Sequence, residues 1–189
     1  MGALIVEQIV SADGFAADPA GGLDWVEEWP ESPDIDTEQL RMLDHVDAIV
    51  LGANTYRMFA AYWPEVTPEV ELVAGPINTL PKHVVSNSLE RAPWGDGEIA
   101  IERGDGVASV ERILQHYPRD VIVWGSLELS RALFTAGIVD VLRLRIVPVL
   151  LGSGLRHLPG GLPVTRLDVR SSHVHAGGQV SLEYAVRKP

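Results

Sequence analysis

The sequence predicts an α/β fold, a mixed and mostly parallel sheet flanked by helices, with antiparallel strands at its carboxyl-terminal end. Three observations predict it. Short apolar runs alternate with stretches of helical spacing over the first two thirds of the chain, as repeated βα units do. After Val139 the pattern changes to strands, "VDVLRLRIVPVLLG", "VTRLDVRSSHVH" and "QVSLEYAVR", which fits an antiparallel meander. No internal repeat or linker interrupts the 189 residues, so one domain over 1–189 is expected.

Taken in order, Leu4 to Val10 reads as a strand, apolar around Glu7 and Gln8. "SADGFAADPAGGLDW", rich in Gly, Asp and Pro, reads as a long loop. A helix follows from about Thr37 to Asp44, with Asp36 and Gln39 in capping-box spacing and Leu40, Leu43 and Val46 on one face. "DAIVLG" is a strand, and "NTYRMFAAYW" a helix that Pro64 stops. The Pro-rich stretch from Pro64 to Pro81 leaves room for one short helix. "KHVVSNS" and "EIAIE" are strands, and "VASVERILQHY" places Val110, Ile113, Leu114 and Tyr117 at helical spacing. "DVIVWG" is again strand, and Leu129, Ala132, Leu133 and Ala136 form a helical stripe that Gly137 ends. Leu142, Leu144 and Ile146 alternate with Arg143 and Arg145, the period of a half-exposed strand.

Composition excludes several functions. Cysteine is absent, which removes disulfides, thiolate metal sites and thiol nucleophiles. The formal net charge of −11, without any dense Lys/Arg run, opposes a nucleic-acid partner and an anionic membrane surface. Glu7 interrupts the first apolar run, no basic segment precedes it, and no stretch is long and apolar enough to span a bilayer. A cytoplasmic protein acting on a small molecule is expected.

Three strand ends carry small or polar residues at the next helix or turn: Gly52-Ala53-Asn54-Thr55, Ser86-Asn87-Ser88 and Gly125-Ser126. Ligands of open α/β sheets bind outside the carboxyl ends of the strands, where helix amino ends offer N–H groups to phosphate. Each stretch alone is also ordinary cap and turn chemistry. Neither a P-loop nor a G-x-G-x-x-G after the first strand is present.

With these residues in view, the chain resembles the dihydrofolate reductase-like fold. Within it the chain is similar to the bacterial group related to the reductase domain of the riboflavin-biosynthesis deaminase/reductase, a 5-amino-6-(5-phosphoribosylamino)uracil reductase. The matching stretches are "SADGFAADPAGGLDWV", "IVLGANTY", "HVVSNSL", "VIVWGSLELSRALFTAGIVDVLRLRIVPVLLGSG" and the two closing strands. The resemblance implies a three-layer fold, NADPH as cofactor and hydride transfer to a C=N or C=O bond of a small pterin-like or other heterocyclic substrate. It also implies a homodimer, for which the apolar "VLRLRIVPVLL" strand could supply an interface or equally a core strand.

Carried over residue by residue, Gly125 and Ser126 match the step at the cofactor pyrophosphate, a cis peptide in dihydrofolate reductases, and Leu127 and Glu128 open the helix behind it. Gly52, Ala53, Asn54 and Thr55 match a Gly-Arg-x-Thr phosphate loop with Ala53 in place of the Arg, for which Arg57, Lys82 or Arg91 would have to substitute. Ser86, Asn87 and Ser88 match the segment meeting the adenosine ribose and its 2′-phosphate. Ala12, Asp13, Gly14 and Phe15 match the loop over the nicotinamide, with Asp24-Trp25 at its far end. Asp13 and Trp25 are the candidate catalytic residues; an Asp-Gly turn and a buried loop anchor are the structural alternatives. Pro148, Gly152 and Gly154 lie beside the implied substrate region or simply form a turn. The carboxylate that dihydrofolate reductases carry on their first helix has no evident counterpart, Glu27 and Glu28 being the nearest acids.

The remaining constellations weigh less. His173 and His175 share one strand face, and without a third ligand nearby they read as exposed strand histidines, so no metal is expected. The five Trp read as core and pocket walls. A nucleotide-binding module of the same fold that has lost catalysis is the alternative to the reductase, favoured by Ala53 and by the missing carboxylate.

Overall fold

The β-branched and aliphatic runs that read as strands assemble into one eight-stranded sheet. The computed structural model describes residues 2–27, 29, 33–158 and 160–188, the side chain of residue 27 excepted. In chain order the elements begin with β1 (Leu4–Ser11), β2 (Phe15–Ala17), α1 (Asp24–Glu27), α2 (Pro33–Leu43), β3 (Val46–Gly52) and α3 (Ala53–Tyr62). Then come a 3-10 turn (Trp63–Glu65), α4 (Ala74–Thr79), β4 (Lys82–Val85), β5 (Pro93–Trp94), β6 (Gly97–Glu98), β7 (Ala100–Glu102) and α5 (Gly106–His116). The chain closes with β8 (Asp120–Trp124), α6 (Leu127–Thr135), β9 (Val141–Val147), β10 (Leu155–Arg156), β11 (Leu167–Val174) and β12 (Val180–Val186).

The sheet runs β11-β12-β9-β1-β8-β3-β4-β7. Strands β1, β8, β9, β3, β4 and β7 are mutually parallel, while β12 is antiparallel to both β9 and β11. The central strands are buried on both faces, as a parallel sheet covered by helices requires. On one face α2, α3 and α4 cover Ile5, Ile49, Leu51, Ile122 and Trp124. On the other, α5 and α6 cover Leu4, Val6, Val50, Val121 and Val123 with Val110, Ile113, Leu129 and Leu133. This is the three-layer arrangement that the sequence predicts.

Four expectations need correction. Helix α2 starts at Pro33 rather than near Thr37, so Asp36 lies in its first turn and is no cap; Pro at the first helical position is preset for the helix. The 11–25 loop holds β2 and α1. The last three long strands form no simple meander, because β12 inserts between β9 and β11. Strand β9 is not half-exposed: both its edges are occupied and Arg143 is only 8% exposed. The exposed apolar side chains of this region, Val169 and Val174, lie on β11 instead.

Arg143 shows why a period-two pattern misleads here. Its strand neighbours in register are Glu7 on β1 and Glu183 on β12. The guanidinium donates to Glu7 at 2.9 Å, to Glu183 at 2.9 Å and to Glu38 of the overlying α2 at 3.1 Å. Gln39 of the same helix donates to the other Glu7 oxygen at 3.0 Å. The three carboxylates hold the Arg143 guanidinium above its ordinary range against a burial that pushes it down. Removing one partner of a buried charge set leaves the others uncompensated. Arg143→Met is therefore expected to lower the unfolding free energy by about 3–5 kcal/mol in urea denaturation. A loss below about 1 kcal/mol would mean that the row behaves as a solvated surface cluster.

Candidate active site

Strand lengths create a step at the carboxyl ends. β8 pairs with β1 only as far as Glu7–Trp124, while β1 continues to Ser11 alongside β9, which reaches Val147. Beyond Glu7, β1 therefore has no strand partner on its β8 side. Helices α3 and α6 begin beside this step, with Gly52 and Ser126 at their N-cap positions and no side-chain cap hydrogen bond at either. Their first-turn N–H groups lack intrahelical partners and offer an anion site with the positive dipole end behind it. Helix α5 differs: the Asp105 carboxylate accepts the Ala108 N–H at 2.8 Å and closes that end with its own charge.

The turn at Gly125-Ser126 locks the two open ends together. Its residues are both left-handed, with φ of 54° and 52°. The implied cis peptide is not found, since the described residues contain none; two successive left-handed residues reverse the chain instead. A left-handed serine costs about 1–2 kcal/mol. Three hydrogen bonds of roughly 0.5–1.5 kcal/mol each offset that cost. The Gly52 N–H donates to Ser126 Oγ at 2.7 Å, the Ser126 hydroxyl donates to the Trp124 carbonyl at 2.7 Å, and the Ser126 N–H donates to Thr55 Oγ1 at 2.9 Å. A Cβ on Gly125 would sit 3.0 Å from Thr55 Oγ1, so the close approach adds to the need for glycine created by its φ. Behind the turn, Gln8 Nε2 donates to the Gly125 carbonyl and to Ser130 Oγ at 3.3 Å, and the Ser130 hydroxyl donates to the same carbonyl at 2.8 Å. Sequence reasoning missed Gln8 and Ser130; the available signal was an amide inside an otherwise apolar strand.

The other predicted residues are distributed as follows. Asn54 is exposed and accepts from Arg57 Nη1 at 2.8 Å, which keeps Arg57 beside the loop where Ala53 replaces an Arg. Lys82 turns instead to the carbonyls of Leu80 and Asn78, and Arg91 pairs with Glu98 at 3.1 Å, so neither substitutes there. Leu127 is half-buried and Glu128 exposed in the first turn of α6. Ser86 Oγ accepts the N–H groups of Ser88 and Leu89 at 3.2 and 3.1 Å. Asn87 clamps Gly104, accepting its N–H at 2.7 Å and donating to its carbonyl at 3.1 Å. Arg103, also overlooked, donates to the carbonyls of Leu89 at 2.6 Å and Asn87 at 3.4 Å, and so places a cation at this turn.

Asp13 has a structural occupation. Its carboxylate accepts the Ser11 hydroxyl at 2.6 Å and the N–H groups of Gly152 and Leu151 at 2.7 and 3.2 Å. The Ser11 hydroxyl, opposed by partial desolvation and helped by the two backbone donors, holds this carboxyl below its usual range. Asp13 is therefore an ionised acceptor joining the loop after β1 to the loop after β9. The Ala12 N–H donates to the Val149 carbonyl at 2.9 Å in the same junction. A Cβ on Gly154 would fall 2.1 Å from the Ala17 carbonyl, so that glycine is required by close approach. Trp25 is half-buried on α1, with its Nε1 buried and, among the described residues, without a hydrogen-bond partner. Glu28 lies outside the described residues, as does the side chain of Glu27. His175 is buried rather than an exposed strand histidine, because α2 lies over it.

Residues 3–181 match the model of the RibD C-terminal domain family. The chain belongs to that family. A putative riboflavin biosynthesis protein from Shewanella sp. PV-4 superposes with a TM-score of 0.77 at 21% identity, covering 98% of this chain and 99% of that one. The diaminohydroxyphosphoribosylaminopyrimidine deaminase/5-amino-6-(5-phosphoribosylamino)uracil reductase of Thermotoga maritima has a TM-score of 0.68 at 16% identity, with 98% of this chain and 57% of that one covered. Dihydrofolate reductase from Enterococcus faecalis, complexed with NADP(H), has a TM-score of 0.62 at 13% identity over 98% and 96% of the two chains. These likenesses show a dihydrofolate reductase-like fold. By sequence, uncharacterized protein YyaP of Bacillus subtilis (strain 168) is 24% identical over 153 residues, 80% of this chain and 77% of that protein.

Two outcomes follow from this geometry. Ser126→Ala leaves the Gly52 N–H without its acceptor and is expected to cost about 1–3 kcal/mol in denaturant unfolding; no measurable loss would mean that the turn is held by other contacts. Burial pushes the Lys82 ammonium from 10.5 down to about 8. Between those values the unfolded chain binds a proton that the folded chain has released, so this residue makes stability rise with pH across that window. Lys82→Met should flatten the rise in thermal midpoints measured between pH 8 and 10.5.

Proposed function

We propose that this RibD C-terminal domain chain is an NADPH-dependent reductase that transfers a hydride to a C=N or C=O bond of a small heterocyclic, pterin-like substrate. The observation that carries the reading is the pair of uncapped helix amino ends, α3 and α6, tied side by side through Ser126. A pyrophosphate suits such a seat, because both first turns present N–H groups that have no intrahelical partner. In this reading the N–H groups of Ala53, Asn54, Leu127 and Glu128 take the pyrophosphate charge, so that a guanidinium at position 53 is dispensable. NADPH, when bound, supplies the hydride.

The chain's own residues orient and select. Ser86, Asn87 and Ser88 receive the adenosine end, and Arg103 beside them supplies the positive charge for a 2′-phosphate. The backbone of Gln8 to Ser11, which among the described residues has no strand on its β8 side, borders the step. Asp13 positions the loops around the substrate and, being ionised, accepts hydrogen bonds rather than donating a proton; in this reading water brings the proton. In this reading Trp25 walls the substrate side; among the described residues its indole N–H has no acceptor. That commitment of Asp13 also favours a second reading, a nucleotide-binding module of the same fold without catalysis. The reading includes a homodimer formed along β11, where Val169 and Val174 are exposed.

Calorimetric titration of the intact protein with NADPH and NADH tests the reading. NADPH is expected to bind more tightly, and Arg103→Ala to weaken NADPH by about tenfold or more, as loss of a charged hydrogen bond does, while leaving NADH unchanged. Binding of neither cofactor would sink both readings. Tight binding without nicotinamide oxidation across a panel of pterins and imines would favour the module. Sedimentation at the monomer mass would remove the dimer.

A further inference from the structure

Away from the cofactor step, α2 and the end of β11 bring together three potential ligand atoms that the sequence keeps far apart. His173 and His175 are two residues apart and so project from the same side of the strand and its continuation. Asp34, in the first turn of α2, reaches both: its Oδ2 lies 3.2 Å from His173 Nε2 and 3.0 Å from His175 Nδ1. The three atoms all lie within 4.8 Å of one another. Bonds of about 2.0–2.1 Å to a tetrahedral ion put neighbouring ligand atoms about 3.3 Å apart, so two of the three separations already suit one.

We propose that Asp34, His173 and His175 form a binding site for a divalent transition ion of the Zn2+ class, clipping the amino end of α2 to the β11–β12 hairpin. The surroundings of His175 are the second observation. Its side chain is fully buried, and its far nitrogen, Nε2, lies 2.7 Å from Ser181 Oγ and 3.2 Å from Glu38 Oε2. Metal-bound histidines usually donate their other N–H to a carboxylate or hydroxyl, which fixes the ring and leaves the near nitrogen's lone pair for the ion. Glu38 is fixed in turn by Arg143 at 3.1 Å. His173 and Asp34 keep 55% and 38% of their side-chain surface, so solvent reaches the site and can complete the coordination. Two imidazoles and one carboxylate suit Zn2+, Co2+ or Ni2+ and disfavour Mg2+ and Ca2+, which take oxygen sets.

The experiment is titration of the chelator-treated full chain with Zn2+ by calorimetry and with Co2+ by visible absorption, alongside His173→Ala and Asp34→Asn. Both substitutions fall on partly exposed side chains, and circular dichroism checks that the variants fold. One ion per chain is expected, with Co2+ giving the intense bands of a low-coordinate site. Zn2+ should raise the thermal midpoint of the parent, and each variant should bind more than about a hundredfold more weakly, beyond the roughly 10–100-fold that loss of a supporting residue causes. Absence of stoichiometric binding overturns the proposal. So does equal binding by parent and folded variants, which would place the ion elsewhere and leave the cluster as a set of hydrogen bonds. Neither result bears on NADPH affinity, so this site and the cofactor reading stand or fall separately.

Discussion

Two helices can present their amino ends to one ligand only if the strands before them stop level and the turns between are held together. In this chain Ser126 meets that constraint. Its hydroxyl takes the Gly52 N–H while holding the Trp124 carbonyl, and its own N–H is held by Thr55. The ends of β3 and β8 are thus bonded through side chains past the point where the sheet ladder stops. Gln8 extends the junction to β1 through the Gly125 carbonyl. A left-handed serine would be a liability at a solvent-exposed turn, but here each of its polar groups is satisfied and the cost is spread over three strands.

Charge follows the same logic of local satisfaction against a contrary background. The chain carries a formal −11, yet the proposed anion seat needs no basic cluster, because the first turns of α3 and α6 provide N–H groups at short range. Arg143 is enclosed by Glu7, Glu38 and Glu183 and holds α2 down on the sheet. The positive charge near the seat comes from Arg57 and Arg103, both exposed and therefore both screened by salt.

Strand and helix order, the turn at Gly125-Ser126 and the alternation of βα units were legible because each rests on local chemistry: apolar runs, glycine at a left-handed turn, and proline at helix limits. What stayed hidden depends on partners distant in sequence. Period two at Arg143 and Arg145 states that the two share a face; it cannot state that α2 covers that face with carboxylates. Asp13 reads as a loop acid until Leu151 and Gly152 arrive opposite it. His173 and His175 lacked a third ligand only because Asp34 is supplied by a helix whose start the capping pattern misplaced by one turn. The insertion of β12 between β9 and β11 leaves no trace in any one strand.

The two halves of the proposed site are consequently built to different tolerances. The cofactor half rests on strand ends and helix starts whose side chains are hydrogen-bonded to one another, so substitutions there cost stability as well as binding. The substrate half rests on the loops after β1 and β9, joined by Asp13, by the β2–β10 pairing and by Arg156 stacked 4.8 Å from the centre of the Phe15 ring. These loops form one block that is bonded within itself and anchored at Ser11. Such a block can change its surface residues without disturbing the step beside β8, since loops carried on a rigid scaffold tolerate substitution far better than strand ends do. If the proposed phosphate seat holds, the residues that discriminate substrates would therefore be expected in this block rather than at the Ser126 junction.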